Sequence, residues 1–311
     1  MKLYFAAFLL AFNSLILNAQ QLDSLSQKGP ARIPDWIPLI PGGTYFYEGK
    51  IVEGITFTAI ELGGIYVGLK YDNSLKSGST SPYYNYPLQF GLEAYMINYC
   101  EYERNLLERC KYKYPDFKYD PISEKDLFLA PFKPENILTP ITIGMIGAAC
   151  AELYFDGRTA SKRWGDVQQM YFINHYIDKN QALATYATVS MASAWSAGVS
   201  EEYFMRNGIM PYLDYKLGKT QGLIYSSVGF GLMHFPNVFF ADKKDYGQEL
   251  EQVFVTTIAG FLLGYDVQNR GYQIGPAVAA HVWYDFILMF GSFLIDPQNN
   301  EFAVQVKFNI Q

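Results

Sequence analysis

The chain has 311 residues, with 24 Lys plus Arg against 30 Asp plus Glu, 50% hydrophobic and 17% aromatic residues, and a net charge of -6. An acidic balance without Lys/Arg clusters excludes nucleic acid as a partner, and this much apolar side chain excludes intrinsic disorder. The mean hydropathy of -0.02 hides part of the apolar content, because the 26 Tyr score as mildly polar while suiting interfaces and semi-polar cores.

The N-terminus runs from Lys2 through LYFAAFLLAF to Ala19 and then turns polar, which predicts a secretory signal peptide over 1–19 or an N-terminal anchor. Two weaker apolar stretches follow, Ile51 to Leu69 and Leu88 to Cys100, inside an N-terminal extension over 20–136. Five stronger stretches then succeed one another: Ile137 to Phe155, Ala182 to Ser200, Leu223 to Phe240, Val253 to Tyr265 and Pro276 to Ile295. Each is bounded by Pro, Gly or charge, and their lengths approach the roughly 20 residues that cross a bilayer. The expected fold is an all-α integral-membrane bundle, with a core over 137–295 and a tail over 296–311. In that tail Phe302 to Ile310 alternates apolar and polar residues, the period of one short strand. The basic residues divide between Arg104–Lys118 and Arg158–Arg163, so the positive-inside rule leaves the topology open. Three cysteines without a CxxC pair indicate neither a disulfide framework nor a thiolate zinc site.

Charge inside apolar helices is costly and needs a partner or a task. Glu201, Glu202 and Arg206 directly follow the apolar run ending in Ser200. On an α-helix Glu202 and Arg206 stand at i, i+4 and neutralise each other, while Glu201 turns elsewhere, toward a water or a metal. His234 closes a Gly-rich apolar helix behind Phe230, and His281 shares a helix face with Asp285 at i, i+4, where the carboxylate holds one tautomer of the ring. His175, in a polar stretch, is given no role. Taken singly, the Glu-Glu-x-x-x-Arg string is most simply a solvated face, and a buried His is most simply a satisfied core residue. Together they supply the groups of a water-activating hydrolase in a low-dielectric site.

At these residues the chain resembles a known family. Glu201, Glu202 and Arg206 fit EExxxR, Phe230 and His234 fit FxxxH, and His281 with Asp285 fits HxxxB, B being Asn or Asp. These are, in order, the motifs of the CPBP (Abi) intramembrane proteases, which include the type II CAAX prenyl endopeptidases. The resemblance implies an enzyme that cuts a protein or peptide in or near the lipid bilayer, in the inner membrane of a bacterium. It further implies that Glu201 is the general base helped by His234, that Glu202 and Arg206 hold the helix, and that His281 with Asp285 polarises the scissile carbonyl. Asp285, where prenyl proteases commonly carry Asn, weakens the case for a prenylated substrate. A zinc ion on Glu201, His234 and His281 remains open, without an HExxH helix to support it. The competing readings are a non-catalytic relative that binds a partner or confers immunity to a bacteriocin, and an outer-membrane β-barrel. The latter conflicts with apolar runs that do not alternate.

Overall fold

The computed structural model describes residues 29–75, 85–156, 164–172, 175–235, 246–295 and 306–308. The segment 1–19, the basic loop containing Arg158, Lys162 and Arg163, and most of the alternating tail lie outside the described residues. Among the described residues seven long helices carry the fold: α1 (Ile51–Leu75), α2 (Asn85–Lys113), α3 (Pro140–Asp156), α4 (Lys179–Glu202), α5 (Lys219–His234), α6 (Tyr246–Asn269) and α7 (Gly275–Ile295). They coincide with the apolar stretches read from the sequence as far as the described residues extend; 236–240, the end of the stretch from Leu223, lie outside them. A small antiparallel sheet of β1 (Val167–Phe172), β2 (His175–Asp178) and β3 (Val306–Phe308) has the order β2-β1-β3, so the tail strand is an edge.

The outer faces of these helices identify their solvent. Along α6, Phe254, Ile258, Phe261, Leu262 and Tyr265 are all exposed, and along α1 so are Val52, Ile55, Leu62 and Tyr66. The helices α6 (from Leu250) and α7 are long and apolar enough to span a bilayer, yet only 22% and 33% of their apolar windows are buried. A core helix of a water-soluble protein would bury such a stripe; here it matches hydrocarbon instead. The protein is an all-α membrane bundle with one small sheet.

The helix α2 continues past the apolar stretch that ends at Cys100 and runs unbroken through the charged residues 101–113. Part of that charge is paired: Glu101 meets Lys50 and, at 3.0 Å, Arg104.

The backbone contacts divide the chain into two compact units. Unit 1 contains 105–119 and 205–272, and there α5 packs on α6. A Cβ on Gly231 would stand 2.7 Å from the Val253 carbonyl oxygen, so only glycine lets the two backbones approach this closely. Asp214, 7% exposed, accepts from the Tyr272 hydroxyl and Gln268 Nε2, both at 2.8 Å, and this anchors Tyr272 in its left-handed conformation at φ 75°.

Unit 2 contains 33–104, 120–204 and 273–311. Its axis is the pair α4 and α7. Asp178 caps α4 by accepting from the Asn180 and Gln181 amides, while Gln181 returns a contact to the Asp178 amide, a reciprocal box that fixes the start of the helix. Asp120 Oδ2 accepts from the Ile274 amide at 2.9 Å just before α7 begins. Burial lifts the Asp120 carboxyl above its ordinary range, and the Ile274 amide opposes that shift. Tyr186, early in α4, stacks on Phe293, late in α7, with centroids 3.7 Å apart. Gly198, late in α4, lies against Val282, early in α7, so the two helices run antiparallel.

Candidate active site

The close approach at Gly198 determines what meets one turn further on. A Cβ there would fall 2.6 Å from Val282 Cγ2 and 3.1 Å from the Val282 nitrogen, so the missing side chain brings the backbones of α4 and α7 together. Glu202 lies one turn beyond Gly198, and His281 immediately precedes Val282. Glu202 Oε1 and His281 Nδ1 are accordingly 2.8 Å apart, with Glu202 fully buried.

On the other side of the ring, His281 Nε2 stands 3.3 Å from Asp285 Oδ2. The i, i+4 pairing expected on α7 is thus present, and Glu202 is an additional partner that the sequence had not assigned to this histidine. Ionised carboxylates only accept hydrogen bonds, so a ring with a carboxylate at each nitrogen donates from both and is an imidazolium, unless one carboxyl carries the proton. The two contacts are unequal: Glu202 is 0% exposed, whereas Asp285 is 31% exposed and its contact is longer. Glu201, partly buried on the same turn of α4, lies within electrostatic range of the carboxyl of Glu93 on α2, as do His281 and Asp285. The sequence reading passed over Glu93. It stands on a stretch judged a weak span, in no motif, and an isolated Glu on a Tyr-rich helix gives no local signal.

The remaining motif residues belong to unit 1. Arg206 is 1% exposed, and its guanidinium lies over the Phe230 ring, 4.2 Å from the centroid. Phe230 is therefore more than filling: it presents a π face to a buried cation. His234 meets the same ring edge-on at 5.4 Å, and its Nδ1 is 3.1 Å from the Phe230 carbonyl oxygen.

The winding of the first motif departs from the sequence expectation. The α-helix ends at Glu202, and Tyr203–Ile209 continues as a π-helix, so Arg206 sits on a widened turn instead of the α-helical i, i+4 position. Pro211 supplies a physical reason, since it has no N–H for the Asn207 carbonyl and its ring crowds that oxygen. Such π turns recur at functional sites.

Both nitrogens of His281 face carboxylates, and among the described residues no group of three or more His, Cys, Asp or Glu is close enough to hold a metal ion.

Comparison with known proteins agrees with the motif reading. Residues 183–287 match the family model for Type II CAAX prenyl endopeptidase Rce1-like proteins, a segment that begins in α4, ends in α7 and contains all three motifs. No curated protein and no solved structure matches the chain. Fold and site together define a helical integral-membrane protein with a buried carboxylate–imidazole cluster, and the family similarity is to membrane proteases. Over residues 183–287 the chain is similar to the Rce1-like type II CAAX prenyl endopeptidases.

Proposed function

We propose that this protein is an intramembrane endopeptidase that hydrolyses a peptide bond of a membrane-associated protein or peptide with a water activated by Glu201. One observation carries the proposal: an imidazole clamped between two carboxylates, with Glu202 fully buried, on two apolar helices of a membrane bundle. Glu201 takes the proton of the attacking water and returns it to the leaving amine. The buried contact to Glu202 fixes the His281 ring through Nδ1–H. The longer, more exposed contact to Asp285 marks Nε2–H as the donor that meets the carbonyl oxygen as it becomes an oxyanion. His234 enters as a helper of Glu201 by motif order. The roles are assigned to side chains, and no step is routed through a metal.

The catalytic segment in this reading is 137–295, with 20–136 as an extension, and the inner membrane of a bacterium is the proposed location. A protein or peptide at the membrane is the substrate class that the family similarity supports, whether prenylated or not. The test compares new protein N-termini in membranes that carry the wild type or Glu201→Gln at matched abundance. N-termini present with the wild type and lost in the variant, with a fall of about 10²-fold or more, support peptidase activity. Identical profiles from two folded proteins would move the reading to a partner-binding or bacteriocin-immunity protein. A chelator that abolishes the wild-type cleavage would overturn the metal-free roles.

A further inference from the structure

Glu93 lies on α2, outside the matched residues 183–287, yet it reaches the catalytic turn. Its Oε2 accepts from the hydroxyl of Ser200 at 2.6 Å, and Ser200, fully buried, directly precedes Glu201. The Ser200 hydroxyl has one hydrogen and two acceptors in reach, since the Ala197 carbonyl oxygen stands at 3.3 Å. Inside a helix a serine ordinarily bonds back to such a carbonyl; here the shorter contact goes to another helix. The Cys100 thiol, also on α2, meets the Ser200 carbonyl oxygen at 3.5 Å. Residue 200 is therefore held from α2 by both its side chain and its backbone. It stands two residues before Glu202, where α-helical winding ends. The charges around Glu93 are those of Glu201, His281 and Asp285, and Cys100 lies on its own helix.

We propose that Glu93 is a positioning residue for catalysis, which acts through Ser200 to fix the last α-helical turn and so aims Glu201. The inference rests on the reading of Glu201 as the water-activating base. A hydrogen-bonding group is what this role requires of residue 93, and a displacement of about 1 Å at a reacting carboxylate is enough to cost some 10²-fold in rate.

The test measures how fast the new N-termini specific to the wild type appear in membranes at matched abundance, with thermal midpoints followed in parallel. Glu93→Ala and Ser200→Ala are each expected to slow cleavage about tenfold or more, and the double variant to be no slower than either, because both remove one interaction. Glu93→Gln, which still accepts from Ser200, is expected to restore most of the rate. Cleavage by Glu93→Ala at the wild-type rate, losses that multiply in the double variant, or a Glu93→Gln as slow as Glu93→Ala would each overturn the proposal. These failures leave the contrast between the wild type and Glu201→Gln intact; if that contrast itself is missing, the peptidase reading falls and the role of Glu93 with it.

Discussion

Glu202 on α4 and His281 on α7 stand 79 residues apart in the chain and 2.8 Å apart in space, with the carboxylate wholly out of solvent. Asp285 holds the opposite ring nitrogen from a position that is 31% exposed. The two carboxylates should therefore differ in what they contribute. Glu202→Ala leaves a buried imidazole without its Nδ1 acceptor and is expected to cost about 3–5 kcal/mol, seen as a lower thermal midpoint and reduced abundance in the membrane. Asp285→Asn, which keeps an oxygen that can accept from Nε2–H, is expected to fold like the wild type. A Glu202→Ala protein as stable as Asp285→Asn would contradict the assignment of the buried contact.

Gly198 sets the distance between the helices that bear these residues. Gly198→Ala places a methyl group 2.6 Å from Val282 Cγ2 and is expected to destabilise by about 1–3 kcal/mol. Cleavage should fall further than stability accounts for, because the Glu202–His281 spacing depends on this contact. Adding Val282→Ala should recover part of both losses, and thermal unfolding with N-terminal mapping on the same membranes would show whether it does.

Arg206 places its guanidinium over the Phe230 ring, a weakly hydrated planar cation that an ammonium does not reproduce. Arg206→Lys keeps the charge and is still expected to lower stability by about 2 kcal/mol. Phe230→Leu removes the other half of the same interaction. The two substitutions combined should cost less than the sum of their separate effects in a thermal-unfolding cycle.

Burial raises the carboxyl of Asp214 above the ordinary aspartate range, while hydrogen bonds from Tyr272 and Gln268 pull it down. An acid whose folded-state value lies above its unfolded value contributes stability that is complete below the ordinary aspartate range and is lost as the pH rises through the folded-state value. Asp214→Asn, which still accepts from the Tyr272 hydroxyl, is expected to show a smaller fall in thermal midpoint over that interval. Parallel stability–pH curves for the two proteins would exclude this contribution.

The helices were legible in the sequence because a bilayer demands long apolar runs with every backbone group satisfied internally, and such runs stand out against the Pro, Gly and charged residues that bound them. The i, i+4 relation of His281 to Asp285 was legible for the same local reason. The winding after Glu202 was not: a π turn depends on Pro211, nine residues further along, and on how the helix is packed. Glu93 was hidden because its partner, Ser200, lies 107 residues away.

By itself the sequence determined which residue types were present on apolar helices, in which order, and hence the kind of chemistry they can perform. These are properties of near neighbours along one helix, where spacing fixes facing. The tertiary structure decided which carboxylate meets which nitrogen. Glu202 reaches His281 because glycine at position 198 lets α4 and α7 close to backbone contact, and Glu93 reaches the catalytic turn because α2 lies against Ser200. Contacts of that kind depend on the distance between helices, and helix spacing is set by packing across the bundle, which no local periodicity encodes.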